Sequence, residues 1–289
     1  MDESADMTKI LISVDIEGIA AVFERQQAVR GNPEYERARR LMTAEADAAV
    51  RGAFAGGATE VTVVDSHGPM GNLIAEDLDP RARVITGRGR PLSMIQGLTP
   101  DHAGVVLIGW HASAGEYGQF AHTLSSQAFR RIRLNGAVTG ETTLYGGYAA
   151  ELGVPLLLTS GDDRYCAEVQ AQFPLTETVC VKNAIGMFAA DCLSPHRARD
   201  LIEDAVRQVV QDHAQARVQY PVPAGAEVGL LVPFRVEVEV TTQFIADGLS
   251  LLRGVERLGA ETVAFTAADM REVLQTLAVM SLMGASLQQ

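Results

Sequence analysis

Short apolar runs alternate with longer amphipathic stretches along much of this chain. Buried strands of a parallel sheet are predicted at Lys9–Val14 and Glu60–Val64, because both runs are rich in β-branched residues and apolar on both faces. Between them, Asn32 and Pro33 predict the start of a helix, and apolar residues then recur at helical spacing up to Gly56-Gly57. The order strand, helix, strand is typical of a βαβ unit.

The same alternation continues beyond this unit, and its period changes near the C-terminus. Further strands are predicted at Gly104–Gly109, Gln127–Leu134, Val154–Thr159 and Thr178–Val181, and further helices at Glu141–Leu152, from Ser194-Pro195 to about Ala216, and at Met270–Met283. Polar and apolar residues alternate in Arg235–Thr241, as in a strand with one solvated face. We therefore predict an α/β fold, a mostly parallel sheet flanked by helices, with a smaller C-terminal α+β part.

Carboxylates and imidazoles follow the predicted strands at the points where the strands end. Asp15 and Glu17 come after the first strand, His67 after the second, and His111 after the strand at Gly104–Gly109. Because ligands of an open α/β sheet bind at the carboxyl ends of its strands, we expect these side chains at one edge. The carboxylates of Asp15 and Glu17 would project the same way from an extended chain, so they need a nearby cation.

A divalent metal ion is the natural counter-charge for this group of side chains. Imidazole combined with carboxylate suits zinc better than magnesium or calcium, which prefer oxygen ligands alone. No cysteine lies in the group, which favours an open catalytic zinc site over a structural one. Two metal ions bridged by one carboxylate would lower the pKa of a bound water and so provide a hydroxide for hydrolysis.

The chain is also predicted to divide into two parts. Residues 1–190 are expected to form the α/β metal-binding catalytic domain, and residues 191–289 a helix followed by a C-terminal strand–helix part. Tyr220–Gly225 is rich in proline and marks a clear shift in composition, which predicts a linker. A long surface loop of a single unit would have the same composition.

Composition and charge exclude several classes of protein. Hydrophobic residues make up 47% and charged residues 21% of the 289 residues, so a disordered or fibrous chain is excluded. Lys+Arg 24 against Asp+Glu 36 gives a net charge of −12, the wrong sign for binding a phosphate backbone, so we expect no nucleic-acid partner. We also expect no membrane contact, since no apolar run approaches the roughly 20 residues of a membrane span.

Cysteine usage and the first residues predict the compartment. Cys166, Cys180 and Cys192 are an odd number without a Cys-x-x-Cys pair, which is typical of free thiols in a reducing compartment. The first six residues carry three acidic side chains, where a secretory leader would be basic. We therefore expect a cytoplasmic protein.

Six short motifs occur in a fixed order along the chain, most of them at predicted strand ends. They are Ser13–Gly18, Asp65-Ser66-His67, Gly109–Ala112, Ala121-His122, Gly140-Glu141 and Gly161–Asp163. In this order and placement, they resemble the zinc-dependent D-aminopeptidase family, peptidase family M55. The resemblance covers nearly the whole chain, and Tyr145 and Met187 depart from the family pattern at positions that bear on the substrate.

The resemblance implies a zinc metallo-aminopeptidase that uses two zinc ions to cleave the N-terminal amide bond of short peptides, in particular peptides containing a D-residue. It implies five zinc ligands, with Asp15 as the bridge: Asp15, Glu17, His67, His111 and Glu141. It also implies a catalytic role for His122, which we expect to shuttle a proton rather than act as the nucleophile. A homo-oligomer is implied as well, for which a decamer is one expectation.

Other functions fit the same residues. A related amidohydrolase or phosphoesterase would use the same pair of metal ions, and a non-catalytic protein that binds small molecules could share the fold. A nucleotide-binding protein is disfavoured, because no Gly-x-Gly-x-x-Gly follows the first strand.

Single residues also have simpler interpretations. Glu141 would be favoured by a helix dipole alone, and we prefer a capping role over metal ligation for Asp162 and Asp163.

Overall fold

The computed structural model of the chain describes residues 8–214 and 232–287, which form two β-sheets and the helices packed on them. The larger sheet contains β1 (Lys9–Val14), β2 (Glu60–Asp65), β3 (Arg83–Ile85), β4 (His102–Ile108), β7 (Leu156–Asp162), β8 (Glu177–Gly186) and β9 (Ala189–Cys192). The smaller sheet contains β5 (Phe129–Leu134), β6 (Ala137–Val138), β10 (Phe234–Val240), β11 (Val255–Arg257) and β12 (Thr262–Ala267). The helices are α1 (Arg25–Ala28), α2 (Pro33–Ala55), α3 (Glu141–Glu151), α4 (Asp163–Gln172), α5 (Pro195–Ala214), α6 (Gln243–Leu249) and α7 (Met270–Ser286).

The larger sheet is mostly parallel, with the strand order β3-β2-β1-β4-β7-β8-β9. Strand β1 pairs in parallel with β2 and β4, and β9 returns antiparallel beside β8. Nearly every residue of β1, β2 and β7 is buried, because helices or the smaller sheet cover both faces of this sheet. The strands predicted at Lys9–Val14 and Glu60–Val64 are therefore confirmed, and so is the α/β fold class.

Helices α2 and α5 pack together on one face of the larger sheet, where their apolar side chains share a core with β1 and β2. A glycine permits the close approach. A Cβ at Gly52 would lie 2.4 Å from the carbonyl oxygen of Glu203 and 3.1 Å from Cβ of Val206. The backbone of α5 therefore occupies the space that a side chain at this position would need.

The smaller sheet covers the opposite face and is antiparallel, with the order β11-β12-β10-β5-β6. Alternate residues of β10 are buried, as the polar–apolar alternation predicts. Helix α7 contacts α3, α6, β10 and β12, and its apolar side chains enter the core between the two sheets. This core includes Leu11 and Leu107 of the larger sheet and Phe129 and Val238 of the smaller one.

The two sheets draw their strands from interleaved stretches of the chain. Strands β5 and β6 belong to the smaller sheet although they precede residue 190, and α5 packs on the larger sheet although it follows that residue. The ranges 1–190 and 191–289 therefore do not coincide with the two sheets, and their division into domains stays a prediction. The linker predicted at Tyr220–Gly225 lies outside the described residues. Among the helices that are described, none is long and apolar enough to cross a membrane.

Replacing Gly52 by alanine should destabilise the protein although alanine is the better helix former. The new methyl group would collide with the α5 backbone, and we expect the free energy of unfolding to fall by about 2 kcal/mol. Urea unfolding measures this change. The control Arg40→Ala, at an exposed position of the same helix, should change the free energy by less than about 0.5 kcal/mol. Equal stability of Gly52→Ala and the parent would contradict the packing described.

Candidate metal centre

The carboxyl ends of β1, β2 and β4 bring four of the predicted side chains together. Asp15 and Glu17 follow β1, His67 follows β2, and His111 follows β4. Strand β1 pairs with both neighbours up to its last residue, so the three strand ends are level. All four residues are buried, with exposed fractions between 3% and 8%. The rule that ligands gather at this edge of the sheet therefore placed these residues correctly.

The loop after β1 packs against the loop after β4, backbone against backbone. The amide of Gly18 donates a hydrogen bond to the carbonyl oxygen of Gly109 at 2.7 Å. A Cβ at Gly18 would lie 2.0 Å from the carbonyl oxygen of Trp110, so only glycine permits this contact. The close approach keeps Glu17, next to Gly18, and His111, two residues after Gly109, on neighbouring backbone segments.

His67 bridges the two carboxylates that follow β1. Its Nδ1 lies 2.8 Å from Oε2 of Glu17 and 3.2 Å from Oδ1 of Asp15. Its Nε2 lies 2.7 Å from the carbonyl oxygen of Ala28 and therefore carries a hydrogen, which it donates. Burial lowers the pKa of His67, but the charge of Glu17 and the hydrogen bonds with both carboxylates outweigh burial and raise this pKa well above its usual value.

The two carboxylates disturb each other strongly. Burial and the charge of Glu17 raise the pKa of Asp15 well above its usual value. Burial acts on Glu17 in the same direction, but the charge of His67 and its hydrogen bond outweigh it, and the pKa of Glu17 is lowered. Without a further cation, Asp15 is driven to hold a proton. The repulsion expected from the sequence is thus present in the folded protein.

His111 faces Asp15 from the other side. Its Nδ1 lies 3.0 Å from the carbonyl oxygen of Ala112 and donates a hydrogen to it, which leaves a lone pair on Nε2. That Nε2 is buried and has no hydrogen-bond partner among the described residues. It lies 3.7 Å from Oδ2 of Asp15 and 3.6 Å from Oε1 of Glu141, beyond hydrogen-bonding distance. A buried lone pair that faces two carboxylates fits a site for a metal ion.

Glu141 and His122 complete the cluster. Glu141 is the first residue of α3, and its Oε1 accepts a hydrogen bond from the amide of Leu124 at 2.6 Å. His122 stacks on His111, with ring centroids 4.1 Å apart and ring planes 14° from parallel. Its Nδ1 donates to the carbonyl oxygen of Phe120 at 2.8 Å, so its Nε2 is the basic nitrogen. Burial and the nearby His111 lower the pKa of His122, which favours the neutral ring.

Two groups of donor atoms have the spacing of a metal site within the part of the chain that the structure describes. In each group, every ligand atom lies within 4.8 Å of the others; the groups are Asp15, Glu17 and His111, and His111, His122 and Glu141. His67 lies outside both groups but contacts the two carboxylates after β1. The five residues expected to bind zinc and His122 thus form one cluster, and their roles as ligands and catalyst stay predictions.

Asp162 lies at the end of β7 but caps a helix instead of joining the cluster. Its Oδ1 accepts a hydrogen bond from the amide of Tyr165 at 2.7 Å, at the start of α4. Its Oδ2 accepts a second from the amide of Gln119 at 2.7 Å. The capping role predicted for Asp162 is therefore confirmed.

Sequence reasoning missed Lys182, which holds the loop after β1 from behind. This lysine is buried, and its Nζ donates to the carbonyl oxygens of Glu17, Ile19 and Val22 at 2.5, 3.1 and 2.6 Å. Burial lowers its pKa to about 8. The sequence contains a signal for this role. The chain has only two lysines, and Lys182 directly follows a predicted buried strand, where a charged group needs hydrogen-bond partners.

The cluster opens into a cavity of about 590 Å³. Segments far apart in the chain line it, including the loop after β2, the turn between β8 and β9, and helices α3 and α7. Tyr145 and Met187, which the sequence analysis expected to bear on the substrate, both lie in its wall. A volume of this size is in the range of pockets that bind small molecules.

Comparisons with known proteins find relatives over nearly the whole chain. A family model described as D-aminopeptidase, peptidase family M55, matches residues 8–279. The D-aminopeptidase of Bacillus subtilis (strain 168) is 34% identical over 274 residues, which cover 94% of this chain and 96% of that protein. Among solved structures, the Zn-dependent D-aminopeptidase DppA from Bacillus subtilis, described as a self-compartmentalizing protease, has a TM-score of 0.85. It is 32% identical, and the match covers 96% of this chain and 98% of that chain.

Replacing Lys182 by methionine should destabilise the protein strongly. Three buried carbonyl groups would lose their shared donor, and we expect the free energy of unfolding at pH 7 to fall by about 3 kcal/mol. Urea unfolding measures the change. The control is Lys9→Met, because Lys9 pairs with Asp101 at the surface and its loss should cost much less than that of Lys182. Similar losses for the two variants would show that Lys182 does not hold the loop.

Glu45 on α2 lies behind the same loop and should make stability depend on pH. Its Oε1 accepts a hydrogen bond from the amide of Ala20 at 2.9 Å, whereas Oε2 is buried without a partner among the described residues. Burial raises the pKa of Glu45 from 4.5 to about 7. Between these values the unfolded chain has released the proton that the folded chain keeps. The contribution of Glu45 therefore makes stability fall as pH rises from about 4.5 to about 7.

Replacing Glu45 by glutamine should remove that fall. The quantity to compare is the free energy of unfolding of the variant minus that of the parent. We expect this difference to be up to about 3 kcal/mol more favourable to the variant at pH 8 than at pH 4.5. Urea unfolding at both pH values measures the gain. The control Glu36→Gln, at an exposed position of α2, should leave the pH dependence as it is. An unchanged slope in Glu45→Gln would contradict a raised pKa.

Proposed function

We infer the function from one premise: this chain belongs to the D-aminopeptidase family, peptidase family M55. Membership makes it a metal-dependent peptide hydrolase. More specifically, we propose a zinc-dependent aminopeptidase that cleaves the N-terminal amide bond of short peptides, in particular peptides with a D-residue. The observation that carries the proposal is Nε2 of His111, a buried lone pair without a partner among the described residues that faces Asp15 and Glu141.

We assign the metal ligands to the five residues that the family resemblance implies: Asp15, Glu17, His67, His111 and Glu141. Two zinc ions per chain are proposed, with Asp15 as the bridging ligand. The orientation of Asp15 supports this role, because its Oδ1 faces His67 and its Oδ2 faces His111. The resemblance to an enzyme described as zinc-dependent supports zinc as the metal. Bound zinc would polarise the substrate carbonyl and lower the pKa of a water molecule.

We assign proton transfer to His122. Its Nδ1 is occupied by the carbonyl oxygen of Phe120, and its lowered pKa favours the neutral ring, so Nε2 is able to accept a proton at neutral pH. His122 would take a proton from the attacking water at Nε2 and deliver it to the leaving amine. A nucleophilic role suits His122 less well, since neutral imidazole reacts poorly with an unactivated amide.

We also propose a homo-oligomeric enzyme of the cytoplasm, with a decamer as the expected assembly. The similar enzyme that is described as self-compartmentalizing supports an oligomer. Val279 and Leu282 of α7 remain 45% and 43% exposed in the single chain, which suits a subunit contact. The thiols of Cys166, Cys180 and Cys192 are free, as expected in a reducing compartment.

Replacing His111 by alanine should remove both metal and activity. We expect the purified parent to hold about two zinc ions per chain, and the variant to hold less metal and to lose at least about 100-fold in kcat/KM. Elemental analysis and hydrolysis of a panel of L- and D-amino-acyl amides and dipeptides measure the two effects. The control His196→Ala changes an exposed histidine of α5 and should match the parent in both.

The outcomes separate the competing functions. Zinc binding with D-selective cleavage supports the proposed activity. Zinc binding without peptidase activity would contradict it and favour another amide or a phosphoester as substrate. Absence of zinc after zinc is added back, or normal metal and activity in His111→Ala, would show that the site is wrongly placed.

A further inference from the structure

The cavity in front of the metal centre has a basic wall. Four arginines line it: Arg25, Arg30, Arg88 and Arg90. None of the four forms a salt bridge with a carboxylate of the described residues, in contrast to the arginines of many surface pairs such as Arg51 and Arg81. Such a group of unpaired cations is unexpected in a chain with a net charge of −12. We refer to these four residues as the arginine wall.

Arg90 is the most deeply placed of the four, and its hydrogen-bond partners, two backbone carbonyl groups and the thioether sulfur of Met70, are all uncharged. Its two terminal nitrogens donate to the carbonyl oxygens of Ile85 at 3.1 Å and Asp65 at 2.6 Å. Its Nε is buried without a hydrogen-bond partner among the described residues. The carboxylate of Asp65 does not compensate this charge by a direct contact, because its oxygens accept hydrogen bonds from Asn72 and Leu73. A half-buried guanidinium without an anionic partner favours binding an anion from solution.

Arg88 and Arg25 provide accessible charge beside Arg90. Both side chains belong to exposed residues, and neither forms a hydrogen bond or salt bridge with another described residue. Arg30 donates to the carbonyl oxygen of Gly71 at 2.5 Å, an interaction that leaves its charge uncompensated. Guanidinium groups bind carboxylates with two parallel hydrogen bonds, and this geometry gives orientation as well as affinity.

The same cavity therefore contains two regions of opposite charge. One holds the carboxylates of Asp15, Glu17 and Glu141, where a bound metal ion and the reacting amide belong, and the other is the arginine wall. Apolar side chains such as Met70 and Leu277 also line the cavity. A peptide whose N-terminal amide bond lies at the metal centre has one anionic group left to place, its C-terminal carboxylate.

We propose that the arginine wall binds the C-terminal carboxylate of the substrate, so that the enzyme selects short peptides with a free C-terminus. This assignment rests on the proposed aminopeptidase function and specifies its substrate class. Binding of the carboxylate at the wall limits the length of peptide that fits between the wall and the metal centre. The acidic side chain of a longer peptide offers the same chemistry, and the test distinguishes the two sources.

The test compares kcat/KM for D-alanyl-D-alanine and for the same dipeptide with a C-terminal amide, using the zinc-loaded enzyme. We expect the parent to prefer the free acid by at least about tenfold, and Arg88→Gln to reduce this ratio about tenfold, mainly through KM. Arg25→Gln should reduce it in the same direction, and Arg88→Lys should retain part of the preference. The control Arg253→Gln removes one exposed positive charge outside the cavity and should keep the parent ratio.

Each outcome bears on the proposal. Equal cleavage of acid and amide by the parent, or an unchanged ratio in both arginine variants, would overturn the carboxylate site while leaving the peptidase function intact. A dipeptide amide with C-terminal aspartate that is cleaved as well as the free acid would assign the wall to acidic side chains and overturn selection of a free C-terminus. No cleavage of any of these peptides would contradict the aminopeptidase function itself and, with it, this substrate class.

Discussion

Three carboxylates are buried in one cluster at the carboxyl edge of the larger sheet, and the cost of keeping their charges out of water constrains everything around them. His67 compensates Asp15 and Glu17 from one side, whereas His111 presents a lone pair to Asp15 and Glu141 and compensates neither. The cluster is therefore incomplete as a set of protein groups alone. In the proposed function a divalent cation supplies the charge that is lacking, and the fold holds the donor atoms within 4.8 Å of one another in each of two groups.

The scaffold resists this repulsion through backbone contacts rather than through surface pairs. The ends of β1, β2 and β4 are level, and the loops after β1 and β4 meet at Gly18. Lys182 then draws three carbonyl groups of the first loop onto one ammonium. These contacts are made by the backbone of the loop that carries Glu17, so they position one of the proposed metal ligands. The cavity in front of the cluster also contains charge of the opposite sign, because the arginine wall lines it.

Local patterns in the sequence predicted much of the fold and the strand-end members of the cluster, whereas Glu141 and His122 were expected only from the family resemblance. Runs that are apolar on both faces predicted β1 and β2, and the alternation of polar and apolar residues predicted β10. The rule that ligands bind at the carboxyl ends of strands predicted that Asp15, His67 and His111 lie close together. The features that could not be predicted from the sequence depend on contacts between residues far apart in the chain. The pairing of β5 with β10 moved a strand into the smaller sheet, and Lys182 meets the loop after β1 only because β8 lies in the same sheet. The arginine wall joins residues from α1, the turn after it and the loop after β3, and shows no pattern in the sequence.

The metal site is tested most directly by the effect of zinc on folding, which does not depend on any substrate. Urea unfolding of chelator-treated protein at pH 7 would be compared with and without added zinc, with bound zinc counted after dialysis. We expect zinc to raise the free energy of unfolding, by about 2.7 kcal/mol when free zinc is about 100 times its dissociation constant. Identical unfolding curves and no retained zinc would contradict the claim that the buried carboxylates and imidazoles form a metal site.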